Sequence, residues 1–379
     1  MATYSAKSIT FILTLFLSAC ATSTPLETQT ASNISPKNTL PPTALPHIIK
    51  PKVTRISAVG DIMLGGTAEP VLNEHGYDYP FEKTSHLLQG SDIVIGNLEG
   101  PLTTHETPYS ADKTYLFKTP PDKVAPALKK AGFTIMNLAN NHILDYGTRG
   151  LKDTIQALEA NQLQHLGTGT NLQQARNSLV VESQGYKIGF LSYSLTFPKS
   201  FWASHKTPGT AFGHEHEIRA DVRQLKQLTD LVVVSFHWGR EKTAELREYQ
   251  PILAHAAIDE GASFIIGHHP HVLQAIEKYK HGIILYSLGN FTFGSYSKNS
   301  AVSVIATLIL ENGVISKLEL HPINVLNVDI NFQPQPLTGQ NANAVIQHIN
   351  QLSENKNTHF ANNDGIGILS TQESVAIKH

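Results

Sequence analysis

Acidic, amide and imidazole side chains recur in this chain directly after short apolar runs. After Val59 comes Gly60-Asp61, after Ile95 comes Gly96-Asn97-Leu98-Glu99, and after Leu138 comes Ala139-Asn140-Asn141-His142, with Asp145 and Gly147 just beyond. Phe236 is followed by His237-Trp238-Gly239 and then Glu241, Ile266 by Gly267-His268-His269-Pro270-His271, and Tyr286 by Ser287-Leu288-Gly289-Asn290. There is one cysteine against 19 histidines, so a transition-metal site has to rest on imidazole and oxygen. That donor set suits Mn, Fe or Zn, alone or as a pair. Bland readings exist for each group alone. An Asp after a strand often caps a helix, paired Asn residues are common in turns, and a single His there is more often hydrogen-bonded than ligating. Trp238 and Phe291 read as packing residues. Three imidazoles within His268–His271 after one buried run are harder to explain so, and six such ends harder still.

The runs themselves are the elements that position these groups. Residues 54–59, 93–95, 133–138, 231–236, 263–266 and 283–286 are rich in Val, Ile or Phe and short enough for buried strands, with 187–193 a seventh candidate. Helical periods lie between them. Val124, Ala127, Leu128 and Ala131 share one face, with Thr119 expected as N-cap, Pro120 and Pro121 at the start and Gly132 at the stop. Leu151, Ile155 and Leu158 mark a second helix, Ile218, Val222, Leu225 and Leu228 a third, and Leu246, Leu253 and Ala257 a fourth closed by Gly261. Alternating strands and helices predict a layered α/β body. In such sheets ligands bind at the carboxyl ends of the strands, where these side chains fall. No fixed-period repeat is visible, which argues against solenoids and propellers. The Asn- and Gln-rich stretch after Pro322 is expected at the periphery, with a helix over 341–352.

The chain has 379 residues, 29 Lys+Arg and 31 Asp+Glu, for a net charge of −2. That balance argues against a nucleic-acid partner. A hydrophobic fraction of 41% is ordinary for a globular chain and supports a sizeable core.

With those residues in view, the chain resembles the CapA family of poly-γ-glutamate capsule proteins, a branch of the calcineurin-like metallophosphoesterase superfamily. The matching segments are G-D-I-M-L-G (60–65), G-N-L-E-G-P-L-T (96–103), A-G-F-T-I-M-N-L-A-N-N-H-I-L-D-Y-G (131–147), H-W-G-R-E (237–241), G-H-H-P-H-V-L-Q (267–274) and Y-S-L-G-N-F-T-F (286–293). The resemblance implies a four-layer α/β/β/α sandwich, metallophosphatase-like, with one or two divalent metal ions at the strand ends. Carried over by position, Asp61 is a first-metal ligand, Asn97 or Glu99 takes the bridging place, and Asn141 and His237 ligate the second metal. His269 and His271 match the final G-H-x-H, with His268 as a rival in register. His142, Asp145 and Glu241 are the catalytic candidates, His142 facing the reacting group. One departure stands out. Asp61-Ile62-Met63 replaces the superfamily's Asp-x-His, and a thioether is a poor ligand for hard cations, so the implied count stays at one or two.

The first residues carry a separate message. Lys7, the apolar run 9–17 and Leu17-Ser18-Ala19-Cys20 read as an export signal ending in a lipobox, with Cys20 the lipidated residue. The expected organisation is therefore a signal over 1–19, Cys20 with a Pro/Ser/Thr-rich tether to 52, a metallophosphatase-like domain over 53–325 and a C-terminal extension, 326–379, packing on it. This implies an exported lipoprotein held to a membrane by its lipid anchor and facing the periplasm or cell surface. Two function classes follow. One is a metal-dependent hydrolase acting on a phosphoester or an anionic envelope polymer. The other is an accessory protein in a membrane complex for poly-γ-glutamate synthesis or export.

Overall fold

The computed structural model describes residues 52–110 and 113–371. The signal over 1–19, Cys20 and its tether through 51, and the end of the C-terminal extension, 372–379, lie outside the described residues. The strands, in chain order, begin with β1 (Val53–Met63), β2 (Ile93–Leu98), β3 (Ile135–Asn137), β4 (Gln164–Leu166), β5 (Thr168–Gly169) and β6 (Leu179–Ser183). They continue with β7 (Tyr186–Ser194), β8 (Gly209–Thr210), β9 (Leu231–His237), β10 (Phe264–His268), β11 (Ile276–Tyr279) and β12 (Gly282–Leu285). Last come β13 (Asn290–Phe293), β14 (Val302–Glu311), β15 (Val314–Asn324), β16 (Gln335–Pro336), β17 (Ala361–Asn363) and β18 (Ile366–Ser370).

Two large sheets result. The first runs β17-β18-β15-β14-β1-β2-β3-β4, with β13 also on β1 and β16 on β15. Its β1-β2-β3-β4 part is parallel and its β14 side antiparallel. The second runs β11-β12-β10-β9-β7-β6, with β7, β9, β10 and β12 parallel. All seven apolar runs read as strands fall on these elements.

Period-two alternation along each strand builds three apolar seams. Ile56, Ala58, Ile93, Ile95 and Ile135 face Phe190, Val233, Phe264 and Ile266 of the other sheet. On the far side of the first sheet, Val59, Ile62, Val94 and Met136 meet Val124, Leu128, Leu151 and Leu158 of the helices Pro121–Ala131 and Gly147–Ala160. On the far side of the second, Val232, Val234 and Ile265 meet Ile218, Val222, Leu225, Leu253 and Ala257 of the helices Glu215–Lys226 and Tyr249–Asp259. The order is helix, sheet, sheet, helix, the expected four-layer α/β/β/α sandwich. Each fully buried Val, Leu, Ile or Phe contributes roughly 1.5–3 kcal/mol.

Some local expectations change. Thr119 does not cap the first of these helices: Pro120 stands at the N-cap with no side-chain hydrogen bond, and Pro121 opens the helix where no backbone N–H is needed. Gly132 does close it, at φ 107. Leu228 lies past the helix ending at Lys226 and is 61% exposed. Leu246 precedes its helix rather than joining it. The chain after Pro322 is built into the body rather than set at the periphery. β18 pairs with β15, and the helix Gly339–Leu352 sends Val345, Ile346 and Ile349 into the seam between the sheets. Among the described residues no helix is long and apolar enough to cross a membrane.

Candidate metal centre

The carboxyl ends of β1, β2, β3, β9 and β10 converge on one rim. Asp61 lies beside Asn97 on β2 and beside Asn290 on β13. The approach is tight: a Cβ on Gly60 would sit 2.0 Å from the carbonyl oxygen of Gly289, so only glycine fits. β9 ends on His237, paired with His268 at the end of β10. The loop that follows bends sharply, with His269 at φ 94 and His271 at φ 58. Two non-glycine residues held in the left-handed region store strain where the side chains must be aimed.

Glu99 is the hub. It is fully buried, and its Oε1 has no hydrogen-bond partner. That atom lies 3.6 Å from His237 Nε2 and 3.8 Å from His271 Nε2. His237 Nε2 is in turn 2.7 Å from Asn141 Oδ1. His269 Nδ1 is likewise buried without a partner. Three triads offer ligand atoms within 4.8 Å of one another: Glu99, His237 and His269; Asp61, Glu99 and His271; and Glu241, His269 and His271. Orphaned buried donors and acceptors are costly unless something meets them. An oxygen-and-imidazole set with its free atoms converging fits divalent cations, with Glu99 common to two pockets. The structure thus brings Asp61, Glu99, Asn141, His237, His269, His271 and Glu241 together.

Two sequence-derived ligands do other work. Asn97 turns its NH2 group toward the carboxylates, donating to Asp61 Oδ1 at 2.8 Å and Glu99 Oε2 at 3.3 Å. Its carbonyl oxygen accepts from Asn137 and Asn140 at 3.0 and 3.1 Å. A reversed amide would set oxygen against carboxylate and NH2 against NH2, so Asn97 links the two acids through its NH2 group. His268 has both ring nitrogens engaged, Nε2 with Val59 O at 3.1 Å and Nδ1 with Ser235 Oγ at 3.3 Å. It ties the two sheets together and is not available as a ligand. The Met63 sulfur, buried, accepts from Gly65 N at 3.2 Å.

The charges sort themselves by burial and neighbours. Burial pushes the Glu99 carboxyl well above its usual range, and the Asp61 charge beside it pushes further. Burial would raise Asp61 too, but the hydrogen bond and charge of His271 hold it below its ordinary value. Burial works against a charged His271, yet Glu99 and Asp61 hold that ring up at about 9. Burial, then the His271 charge, brings His269 down to about 3, and burial with the neighbouring imidazoles puts His237 well below its usual value. His237 and His269 are therefore neutral, the form a cation needs.

A second constellation sits beside the first. His142 Nδ1 is 2.8 Å from Asp145 Oδ2, which also accepts from Phe117 N at 2.8 Å. Lys113 ion-pairs with Asp145 and donates to Asn141 O at 2.6 Å. Asp145 is fully buried and meets the His142 ring from behind. Burial outweighs the Asp145 contact and lowers the His142 pKa. The His142 ring packs on Phe117 at 4.6 Å, and His271 packs on Phe293 at 4.5 Å.

Four contributors escaped the sequence reading as site residues. Asn137 is a polar residue inside a buried strand, which is itself a signal. Asn140 read as a turn residue, yet its side chain binds Leu98 O and the amides of His142 and Ile143. Asn290, noted only as a strand-end group, holds His271 Nδ1 at 2.9 Å. Lys113 lies in a polar loop without period, where nothing marks it. A cavity of about 930 Å³ opens beside the centre, lined by Asn141, His269, Phe197, Arg240, Glu241, Glu245, Arg247 and Glu248 among others.

The family model of the bacterial capsule synthesis protein PGA_cap matches residues 55–295. The capsule biosynthesis protein CapA of Bacillus anthracis is 35% identical over 289 residues, covering 75% of this chain and 69% of that protein. The PGA biosynthesis protein CapA of Bacillus subtilis is 35% identical over 274 residues, covering 72% of each. Among solved structures, the NAD nucleotidase of Haemophilus influenzae is similar at TM-score 0.46 and 12% identity, over 80% of this chain and 63% of that one. The matched span takes in every residue of the candidate centre described above, and the chain belongs to the family of bacterial capsule synthesis proteins.

Proposed function

We propose that this protein is an envelope-facing component of poly-γ-glutamate synthesis or export that carries a metal-dependent hydrolase centre. The observation that carries the hydrolase reading is the buried, unpartnered Glu99 Oε1 between His237 and His271. Divalent cations would be held by Asp61, Glu99 and His271 on one side and by Glu99, His237, His269 and Asn141 on the other. Bound there, they supply an activated water and neutralise developing negative charge. His142, with Nδ1 fixed by Asp145, keeps Nε2 for a proton on the leaving oxygen. Asn97 spaces the two acids, and Asn290 fixes the His271 ring, as groups behind metal ligands commonly do.

The polymer comes from the relatives, whose names tie them to capsule and PGA biosynthesis. The signal and Cys20 support an exported lipoprotein, and a membrane polymer-synthesis complex is the partner this implies. A second reading, a phosphoesterase acting on a small or envelope phosphoester, draws on the cavity's mixed charge. Glu241, Glu245 and Glu248 line it with Arg240 and Arg247, which does not single out a polyanion.

The test compares the manganese-loaded full-length protein with His237→Ala on γ-linked polyglutamate, followed by chain length, and on p-nitrophenyl phosphate. The variant is expected to lose its cation and roughly 100-fold or more in rate. Equal rates for the two proteins would overturn the hydrolase reading. Turnover of the phosphoester alone selects the second reading.

A further inference from the structure

The three ligand triads overlap in an unequal way. His269 and His271 are both buried and are reached from two sides. Glu99 approaches each from the buried floor, while Glu241 offers a carboxylate oxygen to both from solvent. Glu241 is exposed, and among the described residues its carboxylate has no hydrogen-bond or ion-pair partner. It follows Gly239 at φ 91 and lines the 930 Å³ cavity beside Arg240. His269, which it reaches, keeps a buried Nδ1 without a partner.

From this arrangement we propose that Glu241 is a displaceable ligand of the cation centre, closing it from solvent between His269 and His271 until an anionic oxygen of the substrate takes its place. The inference rests on the metal-centre reading above. It names the substrate class that can open the centre: a molecule bearing a phosphate or carboxylate oxygen at the reacting position.

The physical logic lies in the difference between the two glutamates. Glu99 is buried and wedged by Asn97, so moving it would strand a charge in the core. Glu241 is exposed, so its carboxylate regains water as soon as it leaves, and exchange costs little. Arg240 and Arg247 on the same cavity wall can receive either the released carboxylate or the incoming anion.

The experiment uses manganese-loaded, full-length wild type, Glu241→Gln and Glu241→Ala. Two quantities are read: the rate at which EDTA removes manganese, and the Kd for orthophosphate by calorimetry. Manganese is expected to leave the variants roughly tenfold faster, and phosphate to bind them several-fold more tightly because its competitor is gone. Unchanged removal rates, or phosphate binding that stays the same or weakens, would overturn the proposal. His237→Ala runs alongside. If it keeps its manganese, the metal-centre reading itself has failed; if it loses the metal while the Glu241 variants match wild type, only the present inference has.

Discussion

Glu99 carries contradictory demands, and its substitution separates them. In the metal-free protein a buried carboxyl next to Asp61 is held well above its usual pKa, so near neutral pH it costs stability that the unfolded chain does not bear. Glu99→Gln keeps the shape and removes the charge. The metal-free thermal midpoint at pH 7 is expected to rise, while metal content falls and manganese affinity drops by roughly 10–100-fold or more. Differential scanning fluorimetry with and without EDTA, plus metal analysis, checks both arms. His271 sets a pH dependence. Its folded pKa of about 9 exceeds its unfolded value, so its stabilising contribution is full below about 6.5 and fades as pH rises through about 9. A cation must displace that proton, so manganese affinity is expected to climb from pH 7 to 9, by up to about tenfold per unit for each proton released. A chelator-competition titration at several pH values reads this, and a flat profile would contradict it. The clustering of these side chains was legible because acidic, amide and imidazole groups follow one apolar run after another. The roles of Asn97 and His268 were not, since direction of an amide and occupancy of ring nitrogens depend on neighbours far away in sequence.

Strand ends need particular backbones as well as particular side chains. Gly267 sits where a Cβ would lie 1.9 Å from the carbonyl oxygen of Tyr286, between β10 and the end of β12. Backbone cannot yield as a flexible side chain can. Gly267→Ala is expected to destabilise by about 3 kcal/mol or more, or to prevent soluble expression, as urea denaturation would show. A loss under about 1 kcal/mol would mean the strands can part without harm. The seven apolar runs were readable as strands because each is short, β-branched and bounded by glycine or polar residues. Helix edges were less so. Leu228 continued the apolar period of its helix on paper, but the chain turns before it, and periodicity does not report where a helix stops.

The whole body depends on the stretch after residue 325. Cutting the chain after residue 325 removes Val345, Ile346, Ile349, Phe360 and Leu369 from the seam between the sheets and strips β18 from β15. Five buried side chains at about 2 kcal/mol each approach the whole stability of a typical domain. The truncated protein is expected to be insoluble or protease-sensitive, as limited trypsinolysis would reveal. Its polar composition hid this, because Asn and Gln dominate the count while a few spaced apolar residues do the packing. The ligand geography has its own outcome. Asp61, Glu99 and Asn141 lie on or just after strands of one sheet, and His237, His269 and His271 on or just after strands of the other. An occupied centre is thus a rivet through both plates of the sandwich. Scarcity of the cation would loosen that joint, and a protease would sense the slack.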